Sequence, residues 1–122
     1  MCGIAGILQT NTTNTAATIK KMVAVLAHRG PDGDGCWMNE TKTVALGHRR
    51  LAIIDTSNAA QQPLYYNNRY TIIHNGELYN YIELRQQLQS KGYQFTSAGD
   101  TEVIVAAYDY WKQDCLQQFD GM

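Results

Sequence analysis

Cys2 follows the first methionine directly, which gives it an unusual chemical option. If Met1 is removed, one residue carries both a thiol and a free α-amine. An ordinary cysteine thiol has a pKa of about 8.5 and needs a base to attack at neutral pH, and an α-amine with a pKa of about 7.7–8 can act as that base. The two groups together indicate an N-terminal nucleophile.

A second interpretation of Cys2 stays open when only the residues are considered. Free cysteines are often small buried hydrophobic residues, and Cys2 begins an apolar stretch. Gly3 and Gly6 favour the reactive interpretation, because glycine removes side chains near the thiol and lets a ligand approach the backbone.

Several other polar residues could serve a site or have ordinary structural roles. Asn75-Gly76 is typical of a turn, Asp100 of a helix N-cap, and Arg50 of a surface charge. The histidines lack zinc-site spacing, and Asp32–Gly35 lacks the later glycine and glutamate of a calcium loop. We therefore predict no metal site.

Elements of both types must position these residues. Apolar residues recur at helical spacing, as in Ile19, Met22, Val23 and Leu26, and glycine or proline ends the helices. Predicted helices are Thr15–Ala27 and Tyr81–Lys91, the second with Gly92 as the C-cap. A third helix is predicted to be N-capped by Asp100 or Thr101 and to run to about Trp111, with Val103, Ile104 and Ala107 facing inward. Predicted strands are Cys2–Leu8, Cys36–Asn39, Thr43–Leu46, Leu51–Ile54 and Tyr70–His74, and Gly30–Gly35 is predicted as a loop. The class is α+β.

Composition narrows the setting. The chain has 122 residues, the size of one domain, and 44% of them are hydrophobic. With 10 basic and 11 acidic residues, its net charge of -1 offers no electrostatic case for nucleic acid or a membrane surface. No apolar run approaches the roughly 20 residues that span a bilayer. The three widely spaced cysteines fit free thiols in a reducing compartment, so we expect a cytoplasmic protein.

Several segments, in order along the chain, carry a family resemblance. They are Met1–Ile7, His28–Asp32, Gly47–Asp55, Asn75–Asn80 and Asp100–Ile104. Together they resemble the N-terminal domain of glutamine-hydrolysing asparagine synthetase, a class II glutamine amidotransferase. The resemblance covers nearly the whole chain, and its segments in register are far more specific than any one alone.

The resemblance implies a role for each matching residue. Cys2 would attack the side-chain amide of glutamine, while the Asn75 side chain and the Gly76 N–H would form the oxyanion hole, where losing one donor typically costs about 10²–10³ in turnover. Arg50 would bind the α-carboxylate, and its neighbour Arg49 would point to the other face of a strand. The remaining implied substrate-binding residues are Asp100 and Glu77 for the α-ammonium group and Leu51 and Ile53 for the pocket wall.

The resemblance also implies a fold and partners. The fold would be an αββα four-layer sandwich of the N-terminal-nucleophile hydrolase type. Residues 1–122 would form an incomplete glutaminase domain, because the chain stops at a turn signal, Phe119–Met122. ATP and Mg²⁺ would bind a separate C-terminal synthetase domain that uses the ammonia to make asparagine from aspartate, and no cofactor is expected in residues 1–122. A homodimer stays open.

Three rival functions remain at this stage. One is a glutamine-binding domain without catalysis, and another is an amidotransferase with a different ammonia acceptor. The third is an N-terminal cysteine hydrolase of lipophilic amides, against which Arg50 and Asp100 argue, because a lipid tail needs no charged partners.

Overall fold

The computed structural model describes residues 1–122, which form two small antiparallel sheets and three α-helices. The strands are β1 (Gly3–Leu8), β2 (Gly33–Met38), β3 (Val44–Arg50), β4 (Leu64–Tyr66) and β5 (Tyr70–Ile72). The helices are α1 (Thr15–Val25), α2 (Tyr81–Ser90) and α3 (Asp100–Trp111), with 3₁₀ turns at Leu26–Arg29, Asn58–Ala60 and Lys112–Gln118. The predicted α+β class is confirmed.

The first sheet has the order β1-β3-β2, with β3 in the centre. Gly3 pairs with Arg49, and Gly33 pairs with Arg50. Helix α1 packs on one face of this sheet, and it comes so close that a Cβ on Gly47 would overlap the Val23 side chain. Ile19 and Val23 are buried there as predicted, whereas Met22, predicted on the same face, is exposed.

The second sheet pairs β4 with β5 and lies against the helices α2 and α3. Its buried cluster is the larger of the two hydrophobic cores and includes Leu64, Tyr66, Leu78, Leu84, Leu88, Val103, Val105, Ala106, Ala107 and Cys115. Val103 and Ala107 face inward as predicted, while Ile104 is half-buried. The smaller core, between α1 and the first sheet, centres on Ala5, Ile19 and Ala45.

Several element boundaries differ from the prediction. β2 begins at Gly33, inside the segment predicted as a loop, and β3 runs on to Arg50. The strand predicted at Leu51–Ile54 is wrong, since these residues form an irregular loop with Ile53 and Ile54 exposed. β4 was not predicted. The strand predicted at Tyr70–His74 ends at Ile72.

Gly92 lies just beyond the end of helix α2 and terminates it, as predicted. Gly92 has a φ of +93°, a conformation that glycine adopts without a Cβ penalty. Its N–H donates to the Gln89 carbonyl (3.0 Å), and the Tyr93 N–H donates to the Leu88 carbonyl (3.1 Å), which is the Schellman pattern.

None of the helices combines the length and apolar character needed to cross a membrane.

Candidate active site

A pocket of about 250 Å³ lies between the first sheet and the N-terminus of α3. All of the predicted site residues line it: Cys2, Arg50, Leu51, Ile53, Asn75, Gly76, Glu77 and Asp100. Residues that the sequence did not single out for this site also line it: Met1, Ala52, Ile54, Asp55, Ala60, Gln62, His74, Gly99, Thr101 and Met122. The structure thus brings the predicted set together, although it does not test the role of any member.

The β1–β3 pairing positions Cys2. Because Gly3 lies opposite Arg49, the residue before it falls beside the end of β3. There the Leu51 N–H donates to the Cys2 Sγ at 3.3 Å, and the Sγ lies 3.6 Å from the Leu51 carbonyl oxygen. The Arg29 Nε donates to the Cys2 carbonyl at 3.3 Å. Cys2 is half-buried and lies at the pocket wall beside the end of β3.

Asn75, Gly76 and Glu77 follow β5 as a bent, irregular segment. The backbone of Glu77 pairs with that of Met122, with N–H···O distances of 3.0 and 2.9 Å in the two directions. This brings the Met122 carbonyl so close to Gly76 that a Cβ on Gly76 would overlap it. Glycine at this position therefore has a steric reason as well as the implied functional one.

Arg50 is the last residue of β3 and is 7% exposed. One terminal nitrogen donates to the Ser57 carbonyl at 2.8 Å and the other to the Asp55 carbonyl. Arg49 points to the other face, where it donates to the Val23 carbonyl at 3.1 Å and lies 3.6 Å from the Asp34 carboxylate. The alternation predicted for the two arginines is confirmed, but Arg50 is buried in the pocket wall and is not a surface charge.

Asp100 is not the N-cap of α3. Gly99 occupies that position, and Asp100 is the first helical residue. Its Oδ2 accepts the Leu78 N–H at 2.9 Å and lies 3.9 Å from the Nδ1 of His74. The carboxylate thus bonds Leu78, which is 22 residues away in sequence, and no local sequence pattern could reveal this contact. Its remaining acceptor capacity faces the pocket.

Leu51 and Ile53 line the pocket from the irregular loop that replaces the predicted strand. Asp55 fixes the end of this loop, since its carboxylate accepts the Ser57 N–H at 2.8 Å and the Ala98 N–H at 2.7 Å. Hydrogen bonds from the Ser57 side chain and from these two amides lower the pKa of Asp55. The loop therefore carries a negative charge at the pocket edge.

Gln62 and Thr101 were not predicted as pocket residues, and His74 was predicted only as part of a strand. Gln62 is 7% exposed, and its side chain contacts both of the others. The available signal was a glutamine before a proline in a polar segment, which is also typical of an ordinary loop.

Residues 1–122 contain no cluster of three or more His, Cys, Asp or Glu side chains with a geometry that could hold a metal ion. Charged side chains of both signs, including Arg50 and Asp100, line the pocket.

The whole chain, residues 1–122, matches the family model of the glutamine amidotransferase domain. Asparagine synthetase (glutamine-hydrolysing) 1 of Bacillus subtilis is 43% identical to this chain over 126 aligned residues. The alignment covers 100% of this chain and 20% of the relative. A putative asparagine synthetase 2 of Methanocaldococcus jannaschii is 36% identical over 140 residues, covering 100% of this chain and 26% of the relative.

Asparagine synthetase 1 of Arabidopsis thaliana is 34% identical over 125 residues, covering 100% of this chain and 20% of the relative. This chain thus spans about a fifth to a quarter of the length of these curated relatives. The resemblance found in the sequence is confirmed: the chain belongs to the glutamine amidotransferase domain family.

Proposed function

We propose that this pocket hydrolyses L-glutamine to glutamate and ammonia through a thioester on Cys2. The observation that carries the proposal is the convergence of a cysteine thiol, an arginine and an aspartate on one pocket of about 250 Å³. Family membership and the names of the relatives support it.

The charges of the pocket complement a free amino acid. Glutamine at neutral pH carries an α-carboxylate and an α-ammonium group, and both must be paired when they leave water. Arg50 and Asp100 are both buried and both line the pocket. Arg50 spends two N–H donors on backbone carbonyls, and a guanidinium has five, so donors remain for the carboxylate. Glu77 and Asp100 supply acceptors for the ammonium group.

The proposed reaction has two steps. The Cys2 thiolate attacks the side-chain amide carbon, a C–S bond forms, and the oxyanion is stabilised by the Asn75 side chain and the Gly76 N–H. The C–N bond then breaks as a proton passes to the nitrogen, and ammonia leaves. Water attacks the thioester, which releases glutamate and restores the thiol. After loss of Met1, the α-amine of Cys2 takes the thiol proton and returns it to the leaving nitrogen.

We further propose that the ammonia is used by a synthetase portion of the full-length protein, which makes asparagine from aspartate with ATP and Mg²⁺. The relatives support this, since their names include asparagine synthesis and this chain covers only 20–26% of their length. Residues 1–122 are then the glutaminase domain of a longer, cytoplasmic enzyme, for which a homodimer is one arrangement to be tested by its mass in solution.

The four-layer αββα sandwich is part of the same proposal. Helix α1 covers one face of the first sheet, and α3, with α2 packed against it, covers the second sheet. The face of β1 away from α1 exposes Ile4 (47%) and Leu8 (85%). An apolar sheet face of this kind is suited to packing against a facing sheet. Further strands from the longer protein would complete that layer.

Replacing the thiol tests the function. In the full-length protein, Cys2→Ala should reduce glutamate release to background with an unchanged circular dichroism spectrum, because no other group in the pocket can form the thioester. Cys36→Ala is the matched control, since Cys36 is an exposed thiol outside the pocket. Glutamine hydrolysis by Cys2→Ala would contradict the mechanism.

Glutamate release, together with assays of glutamine binding, fatty acyl amide turnover and asparagine formation, distinguishes the rival functions. A glutamine-binding domain without catalysis would show saturable binding of glutamine and no glutamate from either form of the protein. A hydrolase of lipophilic amides would turn over a fatty acyl amide and leave glutamine intact. An amidotransferase with another acceptor would release glutamate and yet make no asparagine from aspartate and ATP.

A further inference from the structure

We infer that His48 and Gln62 are positioning residues for the oxyanion hole, because together they fix the backbone of His74, the residue before Asn75-Gly76. This inference rests on the proposed function for the meaning of Asn75 and Gly76. Neither His48 nor Gln62 is given a role by the resemblance.

The two side chains hold opposite polar groups of one residue. The His48 Nε2 lies 3.2 Å from the His74 carbonyl oxygen. On the other side, the Gln62 Oε1 accepts the His74 N–H at 2.5 Å. Both side chains belong to buried residues, His48 at 0% and Gln62 at 7% exposure, so water does not compete for either contact.

The chemistry of His48 assigns its proton. A carbonyl oxygen can only accept, so the Nε2 must carry the hydrogen. The Nδ1 is buried and has no hydrogen-bond partner, so a proton there would be unsatisfied. Burial also lowers the pKa of His48. In the neutral imidazole, which burial favours, the single donor Nε2–H is therefore directed at the His74 carbonyl, and His48 itself does not line the pocket.

Gln62 is itself oriented by a second contact. Its Nε2 donates to the Thr101 Oγ1 at 3.2 Å, which fixes the side-chain oxygen toward His74. The Thr101 hydroxyl in turn lies 3.4 Å from Asp100 Oδ1. Gly35 allows the backbone of Gln62 to lie close by, because a Cβ on residue 35 would overlap the backbone carbonyl oxygen of Gln62. Gln62 thus links the segment 74–76 that carries the proposed oxyanion donors to Asp100, the residue proposed to bind the α-ammonium group, through Thr101.

The segment needs such support, because β5 ends at Ile72 and the chain from residue 73 to 77 has no strand partner of its own until Glu77 meets Met122. Oxyanion donors act only when they are held at a fixed position, and a displacement of about 1 Å can cost about 100-fold in rate.

Paired variants in the full-length enzyme test the inference. His48→Phe keeps an aromatic ring and removes the donor, and Gln62→Met keeps the approximate length of the side chain and removes the amide. Each should lower kcat for glutamine hydrolysis by roughly 10- to 100-fold, with KM within about threefold of the parent value. His48→Gln, which can place an amide N–H near the position of Nε2, should recover most of kcat. Gln61→Met is the matched control, since Gln61 is bonded to the Asp34 carbonyl outside the pocket.

Hydrogen–deuterium exchange of the 73–76 segment provides a readout that does not depend on turnover. Gln62→Met should speed exchange there at least about tenfold, while the segment around Leu88 in the core stays protected. An unchanged kcat in both variants would overturn the inference. A change in KM as large as the change in kcat, or an unchanged exchange rate in Gln62→Met, would overturn it as well. Failure of the parent enzyme to hydrolyse glutamine would instead refute the proposed function. The exchange result would still decide whether Gln62 holds the 73–76 segment in place.

Discussion

At the scale of single residues, Arg50 combines two tasks that are usually separate. Its guanidinium closes the loop after β3 by donating to the carbonyls of Asp55 and Ser57, and it also lines the pocket. The planar fork makes this feasible, because some N–H groups can serve the loop while others face a ligand carboxylate.

Replacing Arg50 should therefore weaken glutamine binding. We expect Arg50→Ala to raise KM roughly 10- to 100-fold, which corresponds to losing a charge-assisted pair of about 1.5–3 kcal/mol. Arg50→Lys should recover little, because a point charge cannot bond both carbonyls and a carboxylate in the same geometry. Steady-state kinetics with glutamine measure this effect.

Arg49→Ala is the control for this prediction. Arg49 is the adjacent residue on the opposite face of β3, bonded to Val23 and near Asp34. Its loss should leave KM unchanged. Equal rises in KM for the two variants would contradict a specific carboxylate site at Arg50.

The residue scale also shows what the sequence could and could not reveal. Cys2, Asn75 and Gly76 were found through family segments, and the structure gathers them into one pocket. The predicted cap role of Asp100 was wrong, because its partner is the Leu78 N–H, which comes near only after folding. Gln62 was missed for the same reason: its contacts to His74 and Thr101 are 12 and 39 residues apart in sequence.

At the scale of elements, Asp109 joins α3 to β5 and to the chain after α2. Its carboxylate accepts the Tyr70 hydroxyl at 3.0 Å and the Tyr93 hydroxyl at 2.9 Å, and it lies 3.3 Å from the Lys112 ammonium group. Burial alone would raise the pKa of Asp109, but the bonds from Tyr93, Tyr70 and Lys112 lower it below its ordinary value. Burial and the hydrogen bond to the negatively charged Asp109 carboxylate raise the pKa of Tyr93 to about 12, so its hydroxyl remains a donor.

This geometry predicts a pH-dependent effect of Asp109→Asn. A carboxyl whose pKa is lower in the folded state stabilises the fold above its unfolded-state pKa of about 3.9, and this contribution is lost as the pH falls through the folded-state pKa. The substitution should lower the free energy of unfolding by about 1–2 kcal/mol at pH 7 and by much less near pH 2–3.

Urea titrations of both proteins across that pH range measure the difference. Asp114→Asn, at an exposed position in the 3₁₀ turn Lys112–Gln118 that follows α3, should show little effect at any pH. A constant deficit for Asp109→Asn from pH 7 to pH 3 would show that charge is not the cause.

The end of α2 gives a second prediction at this scale. Gly92 adopts a φ of +93°, and no atom lies within 4 Å of the position of a Cβ, so the cost of a side chain there comes from the backbone alone. Gly92→Ala should destabilise the fold by roughly 1–2 kcal/mol. Gly6→Ala is the control, because its Cβ would make an ordinary 3.9 Å contact with Leu46. Equal denaturation midpoints for the two variants would contradict the assigned cap.

Helices were easier to predict than strands for a physical reason. Helical spacing is a local property, and α1 and α2 begin where predicted, while α3 begins one or two residues before its predicted start. Strands depend on partners. Leu51–Ile54 has a strand-like composition, but Arg50 bonds the carbonyls of residues 55 and 57 and bends the chain away from any partner. β4 is only Leu64–Tyr66 and exists because β5 pairs with it.

At the scale of the whole molecule, the pocket lies where two separately packed halves meet. The N-terminal half has its own small core under α1, and the C-terminal half has the larger core around α3. Polar contacts join them near the pocket: His48 with the His74 carbonyl, Gln62 with Thr101, and Asp55 with Ala98. The proposed nucleophile comes from one half and the proposed oxyanion donors from the other, so the proposed catalysis would depend on this junction.

The cysteines make the central claim directly measurable. Cys2 lines the pocket, Cys115 is buried, and Cys36 is exposed. Partial desolvation of the thiol and the neighbouring Asp34 carboxylate raise the pKa of Cys36, so exposure of the residue alone does not make it reactive. A glutamine-shaped electrophile therefore distinguishes recognition by the pocket from simple access to a thiol.

The most direct measurement is the intact mass of the protein before and after treatment with a diazoketone analogue of glutamine. We predict that Met1 is absent, that one adduct forms on Cys2, that excess glutamine slows its formation, and that Cys2→Ala forms none. An adduct on Cys36 or Cys115, no adduct at all, or full reactivity with Met1 still in place would contradict an N-terminal cysteine as the glutamine-hydrolysing nucleophile.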